Sequence, residues 1–178
     1  MLDPVDGTRA FVSGLPVWGT LIGLLRDGRP HAGMMAQPFT GERFWAAGAG
    51  AFGRWSGETR RLAASGATGL ADATLMTTDP RLFAADEREA FARVEGAVRM
   101  SRYGCDCYAY AMVAAGQIDL VIESGLQVYD IAALIPIVEG AGGTVTDWRG
   151  GSAATGGQVL AAANPALHAA ALTLLEGA

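Results

Sequence analysis

Residues 118–146, IDLVIESGLQVYDIAALIPIVEGAGGTVT, carry the pattern that decides the fold. The short apolar run at 118–123 predicts a strand, and the longer apolar segment at 130–139 predicts a helix. Gly140, Gly142 and Gly143 follow, and glycines suit the left-handed conformation that ends many helices. A second strand is expected at 144–146. This strand–helix–strand order predicts a layered α/β domain with a covered sheet.

The same alternation continues on both sides of this stretch. Further strands are expected at 75–78, 98–101 and 159–162, and further helices at 84–94, at 106–115 and from Pro165 onward. The chain is therefore predicted to be α/β from about residue 61 to residue 178.

Before residue 60 the pattern differs. Short segments rich in β-forming residues predict strands at 17–26, 30–37, 43–47 and 51–55. Asp27 and Gly28 predict a hairpin between the first two. We expect an antiparallel meander, and we divide the chain into an N-terminal sheet domain at 1–60 and a C-terminal α/β domain at 61–178.

Composition excludes several classes of protein. The 178 residues include 13 Lys and Arg against 18 Asp and Glu, a net charge of -5, without a basic run, so we expect no nucleic-acid partner. The sequence has no apolar stretch of transmembrane length, so no membrane partner is expected either. Cys105 and Cys107 are spaced like neither a zinc site nor a disulfide framework. The expected location is the cytoplasm.

The first stretch whose residues could bind a ligand or take part in catalysis is DPVDGT at residues 3–8. Pro4 restricts the backbone, so Asp3 and Asp6 can be aimed at one point, and oxygen ligands of this kind suit Mg²⁺. Gly7 and Thr8 are expected to open a short helix, whose unpaired amides favour an anion. An ordinary Asx turn capping a helix is the alternative interpretation.

The second stretch is YDIAA at 129–133, followed by EGAGG at 139–143. Asp130 is expected in the first turn of the helix, where the helix dipole favours its ionised form. Ionised carboxylates bind metals, but a capping Asp is the alternative. Glu123, seven residues earlier, is expected at the end of a strand, where it either contacts a ligand or is solvated.

The two acidic boxes, DPVDGT at 3–8 and YDIAA followed by EGAGG at 129–143, occur in the order of the paired signatures of the inositol monophosphatase family and resemble them. The resemblance implies the alternating α and β layers shared with fructose bisphosphatases, and hydrolysis of a small phosphate monoester by a water that bound Mg²⁺ activates. Two or three Mg²⁺ ions are implied, with Mn²⁺ possible. The implied metal ligands are Asp3, the Val5 carbonyl, Asp6 and Asp130. Asp3 and Thr8 would be catalytic, and Gly7 and Thr8 would contact the phosphate.

Three further strings resemble the histidinol-phosphate phosphatase branch: RYGCDCY at 102–108, GLPVWGT at 14–20 and GLQVYD at 125–130. This resemblance implies hydrolysis of L-histidinol phosphate to L-histidinol in histidine biosynthesis. Asp106 could meet the histidinol ammonium or cap a helix, and Arg102 could assist the phosphate or form a surface ion pair. The resemblance to the family as a whole implies that Glu123 holds a substrate hydroxyl. Inositol-1-phosphate or another sugar phosphate is the alternative substrate.

Family members usually have two helices and a hairpin before the first Asp box, and that segment supplies a shared Glu metal ligand. Here Asp3 follows Leu2 directly, and no later carboxylate matches that Glu. The resemblance therefore implies a chain that lacks the N-terminal helices, in which residues 1–60 are the remainder of an N-terminal metal-binding sheet domain. Such a chain is either a fragment of a longer protein or a truncated, inactive remnant. It also implies a homodimer.

Overall fold

The computed structural model describes residues 1–48 and 50–176, which form two β-sheets and the helices between and outside them. The first sheet is antiparallel throughout, and its strands are neighbours in chain order. They are β1 Leu2–Asp6, β2 Gly19–Arg26, β3 Arg29–Gln37, β4 Glu42–Ala47, β5 Ala51–Trp55 and β6 Glu58–Arg61. The predicted meander is confirmed, with β6 as an addition. The sequence did not indicate β6 because this exposed edge strand has no alternating apolar residues.

The second sheet has the order β10-β11-β9-β7-β8, in which β7 pairs in parallel with β8 and β9 while β11 is antiparallel to β9 and β10. Its strands are β7 Thr74–Thr77, β8 Met100–Tyr103, β9 Leu120–Leu126, β10 Thr144–Thr146 and β11 Gly157–Ala162. Because β7, β8 and β9 run parallel, their carboxyl ends lie at the same edge of the sheet.

The helices form separate layers. They are α1 Thr8–Val12, α2 Ala85–Glu95, α3 Asp106–Ala114, α4 Val128–Ile131, α5 Leu134–Gly140 and α6 Pro165–Glu176. The α5 helix contacts β3, β4 and β5 as well as α3, and α3 contacts β7, β9 and β11. On the other side α6 contacts β11 and α2. The predicted layered α/β fold is therefore confirmed. None of the helices in the described part of the chain has the length and apolar composition needed to cross a bilayer.

The predicted helix at 130–139 is wrong in one respect, because it begins at Val128 and divides between α4 and α5. Pro136 explains the division: its ring nitrogen cannot donate to the carbonyl of Ala132, and the ring crowds that carbonyl. The break packs against the first sheet, where a Cβ on Gly33 would lie 1.9 Å from the Ala133 carbonyl oxygen. Glycine is therefore required for this close approach.

The predicted strand at 118–123 also differs, because β9 runs on to Leu126 through an irregularity in its pairing with β11. The strand predicted at 98–101 lies at Met100–Tyr103, two residues later. The proposed division of the chain near residue 60 remains a prediction.

Candidate active site

Three carboxylates from distant parts of the chain converge at one point. Asp3 and Asp6 lie on β1, an edge strand of the first sheet, and Asp130 lies on α4, directly after the second sheet's β9. One carboxylate oxygen from each lies within 4.8 Å of the others. The contact between α4 and β1 therefore brings the two sequence boxes together.

Each of these carboxylates is oriented by a backbone amide. The donors are the amides of Val5 to Asp3 at 3.0 Å, Cys107 to Asp6 at 2.8 Å and Gln127 to Asp130 at 2.7 Å. One of these bonds closes the first turn of α4, so Asp130 does cap a helix, as the alternative interpretation expected. The cap uses one oxygen of Asp130, so the carboxylate keeps a second oxygen that can bind a cation.

The cluster carries concentrated negative charge. Burial raises the pKa of Asp6 to about 6, and the carboxylates of Asp106 and Asp130 add to that rise. Burial raises the pKa of Asp130 as well, and Asp3 contributes. No Lys or Arg pairs with these carboxylates among residues 1–48 and 50–176. Such a group of hard oxygen donors fits a divalent cation, which would remove the repulsion.

The segment after Asp6 turns sharply and packs closely against Trp18 and Asp106. Gly7 adopts a left-handed conformation with φ 79°, and a Cβ there would lie 3.2 Å from the Trp18 Cα and 3.3 Å from the Asp106 Cβ. Thr8 then begins α1, as predicted, and its hydroxyl donates to the Val5 carbonyl at 3.2 Å. Thr8 is exposed next to the carboxylate cluster, and Gly7 is buried.

A cavity of about 210 Å³ opens beside the cluster, and Asp6 and Asp130 both line it. Glu123 lies in its wall and is only 5% exposed. It accepts hydrogen bonds from the Thr78 amide at 2.9 Å, from the Thr78 hydroxyl and from the Tyr110 hydroxyl at 3.3 Å. The alternative of a solvated Glu at the end of a strand is therefore wrong.

Burial also determines how Glu123 titrates. It raises the pKa of Glu123 to about 7, and the carboxylates of Asp106 and Asp6 add to the rise, although the hydrogen bonds from Thr78 oppose it. Glu123 can therefore change its protonation state near neutral pH.

Asp106 lies in the same cavity wall. It is the first residue of α3, after Cys105 at the cap position, so it is not the helix N-cap. Its backbone is left-handed with φ 42°, which is uncommon for a residue other than glycine, and its carboxylate lies 3.4 Å from the Thr78 hydroxyl. Burial raises the pKa of Asp106, whereas the Thr78 bond and Arg9 lower it.

Arg102 is separate from this group. It is exposed on the edge strand β8 and is absent from the cavity lining. Among the described residues it forms no ion pair, so the surface-pair interpretation has no partner there either.

The sequence analysis missed several residues of the site, among them Thr78, Asp79 and Tyr110. Thr78 and Asp79 directly follow the parallel strand β7, and strand ends of this kind often carry ligand-binding groups, so their position was a usable signal. Hydrogen bonds from Arg81 lower the pKa of Asp79 to about 2, and Arg9 lies 3.8 Å away. Tyr110 lies in a largely apolar helix and gave no signal.

Comparisons with known proteins show which family this chain resembles. The model of the inositol monophosphatase family matches residues 1–178. A chloroplastic bifunctional phosphatase of Arabidopsis thaliana, IMPL2, is 45% identical over 99% of this chain and 53% of its own length. A histidinol-phosphatase of Mycobacterium tuberculosis is 39% identical over 99% of this chain and 68% of its own length.

An inositol-1-monophosphatase of Mycolicibacterium smegmatis, ImpA, is 33% identical over 99% of this chain and 65% of its own length. The structure of an inositol monophosphatase from Zymomonas mobilis superposes with a TM-score of 0.92 at 40% identity, covering 98% of this chain and 69% of the other. The chain therefore spans between about half and two thirds of the length of these relatives.

Proposed function

This chain belongs to the inositol monophosphatase family, and we propose that it acts as a Mg²⁺-dependent phosphomonoesterase whose preferred substrate is L-histidinol phosphate. The observation that carries the proposal is the convergence of Asp3, Asp6 and Asp130 beside a cavity whose lining also includes the carboxylates of Asp106 and Glu123. One end of this site suits cations and a phosphate group, and the other end suits a positively charged alcohol.

The metal end consists of Asp3, Asp6 and Asp130, to which the Val5 carbonyl would add a fourth oxygen. Bound Mg²⁺ would supply positive charge that offsets the charge of the phosphate ester and stabilises the departing oxygen. The protein's own contribution is to orient each carboxylate through a backbone amide before any ion arrives. We propose two or three ions, with Mn²⁺ as a possible substitute.

The phosphate end consists of Gly7 and Thr8. Gly7 adopts the left-handed φ of 79° that turns the chain into α1, and the amides at the start of α1 can donate to a phosphate oxygen. The Thr8 hydroxyl donates to the Val5 carbonyl and keeps a lone pair free, with which it can orient the attacking water.

The alcohol end favours a cation. Asp79 is already paired with Arg81 and Arg9, whereas Asp106 and Glu123 form no ion pair among the described residues, and Arg9 acts on Asp106 only from a longer distance. The ammonium group of histidinol would supply a cationic partner. Leu82, Phe83 and Leu126 form an apolar part of the same cavity, which suits an imidazole ring.

Inositol-1-phosphate is the second candidate. Its support is the inositol monophosphatases among the relatives and solved structures, together with the Glu123 carboxylate, which can accept a hydrogen bond from a sugar hydroxyl. It leaves Asp106 without a charged partner, which is why we place it second.

The test is phosphate release from histidinol phosphate, inositol-1-phosphate and fructose-1,6-bisphosphate, with Mg²⁺ and with a chelator. Asp3→Asn and Asp130→Asn should each reduce Mg²⁺-dependent release by at least about 100-fold, since changes outside the ligand shell alone cost 10–100-fold. Asp86→Asn, at an exposed carboxylate on α2, is the matched control and should retain activity.

Absence of Mg²⁺-dependent release from every ester would overturn the proposal and favour an inactive protein. Equal turnover of histidinol phosphate and inositol-1-phosphate would overturn the substrate assignment alone. We further propose a cytoplasmic homodimer with domains at 1–60 and 61–178. Sedimentation, cell fractionation and limited proteolysis test these three points.

A further inference from the structure

The pairing of β9 with β11 is interrupted beside the cavity. The paired residues on either side of the interruption are Glu123 with Val159 and Leu126 with Gly157. Between these pairs, Ser124 and Gly125 on β9 oppose the single residue Gln158 on β11. This two-against-one arrangement is a β-bulge, a feature that often re-aims side chains next to functional sites. Ser124 and Gly125 line the cavity, as Glu123 does.

A carboxylate from another element joins the two sides of this bulge. Glu87 lies in the first turn of α2, and its Oε1 accepts hydrogen bonds from the Ser124 hydroxyl at 2.6 Å and from the side-chain amide nitrogen of Gln158, Nε2, at 2.8 Å. Its Oε2 accepts from the Ala84 backbone amide at 3.0 Å. Glu87 therefore connects β9, β11 and the start of α2 through one side chain that is itself outside the cavity.

The chemistry of this contact requires an acceptor. All three partners of Glu87 donate, and an ionised carboxylate is acceptor-only. Burial tends to raise the pKa of Glu87, but the bonds from Ser124, Gln158 and Ala84 outweigh it and hold the pKa below its ordinary value. A Gln at this position would place an NH₂ group against at least one donor.

The backbone of the bulge is less restrained than the rest of β9, so a side-chain contact can stabilise it. Gly125 has a φ of 80°, a conformation that glycine shares with many others of similar energy, and the ladder between β9 and β11 is broken here. The interrupted pairing therefore restrains residues 124 and 125 less than the paired residues on either side. The Glu87 carboxylate supplies a restraint from outside.

We infer that Glu87 is a positioning residue for substrate binding, which holds the bulge at Ser124 and Gly125 so that Glu123 and the adjoining cavity wall keep the geometry that receives the alcohol part of the substrate. The expected effect on the KM for substrate rests on the proposed function, whereas the expected effect on the backbone of residues 124–126 does not.

Steady-state kinetics of Glu87→Ala and Glu87→Gln test the kinetic consequence. The KM for histidinol phosphate should rise about tenfold in Glu87→Ala, as for other residues that orient a binding group, while kcat stays within about twofold. Inorganic phosphate, which reaches the metal end alone, should inhibit with an unchanged Ki. Glu87→Gln should fall between wild type and Glu87→Ala, and Glu89→Ala, exposed on the same helix, should match wild type.

An unchanged KM in Glu87→Ala would overturn the inference, and so would an equal rise in KM and in the phosphate Ki, which indicates general disruption. Ser124→Ala should reproduce most of the effect, and adding Glu87→Ala to it should change KM little further, since the two residues act through one contact.

Amide hydrogen exchange tests the structural consequence without any substrate. In Glu87→Ala the amides of residues 124–126 should exchange about tenfold faster, while those of residues 120–122 keep their wild-type rates. Unchanged exchange at 124–126, or equal acceleration along all of β9, would refute the positioning role. If wild type releases no phosphate, the proposed function fails, and the exchange result still decides the role of Glu87.

Discussion

Replacing Asp6 with Asn should stabilise the metal-free protein and remove its stabilisation by Mg²⁺. Burial raises the pKa of Asp6 from 3.8 to about 6, and the carboxylates of Asp106 and Asp130 contribute. An acid whose pKa is higher in the folded state binds protons on folding. Its stabilising contribution is complete below pH 3.8 and is lost as the pH rises through about 6.

The magnitude follows from the two pKa values of Asp6. Their difference corresponds to about 3 kcal/mol of unfolding free energy at a pH above both. The amide oxygen of Asn can still accept from the Cys107 amide, but a neutral acceptor gives a weaker bond, by about 1 kcal/mol. The net gain is about 2 kcal/mol, or about 4–8 °C in Tm for a chain of this size.

Thermal unfolding followed by circular dichroism at about pH 8, with chelator and with Mg²⁺, measures both effects. Wild type should gain stability with Mg²⁺, and Asp6→Asn should not. Glu139→Gln is the control: burial also raises the Glu139 pKa, but Glu139 lies outside the cluster, so this variant should keep the response to Mg²⁺. The reasoning is refuted if metal-free Asp6→Asn is less stable than wild type or still responds to Mg²⁺.

Three further predictions concern pH, the substrate and packing. Metal-free wild type should lose unfolding free energy as the pH rises from about 4.5 to 7, because burial raises the Glu123 pKa to about 7, and urea titrations should show that Glu123→Gln flattens this slope. Asp106→Asn should raise the KM for histidinol phosphate about tenfold and that for inositol-1-phosphate less than about twofold, and equal changes would contradict the role of this charge. Gly33→Ala should cost more than about 2 kcal/mol in chemical denaturation, because its Cβ would lie 1.9 Å from the Ala133 carbonyl oxygen. Gly66→Ala, with nothing within 4 Å, should change stability by less than about 0.5 kcal/mol, and similar losses in both variants would argue against the close packing.

Most strands and helices follow from local patterns that the sequence displays. The hairpin at Asp27 and Gly28, the helix opened by Pro165 and the short helix after Gly7 all occur where turn and capping residues predicted them. The errors have local causes too. Pro136 divides the helix after Asp130, and its effect could have been anticipated from its missing N–H.

The sequence alone determined which groups can do chemistry: two acidic boxes with a glycine after the first, and the types of ligand that hard cations accept. Only the tertiary structure decided that Asp3 and Asp6 meet Asp130, because that distance depends on how the first sheet packs against α4. Burial of Glu123 behind Thr78 and Tyr110 is likewise a result of packing. Local propensity acts over a few residues. Burial and the convergence of side chains depend instead on layers that form only when distant segments pack together. Burial and convergence in turn determine the protonation of the carboxylates in the site.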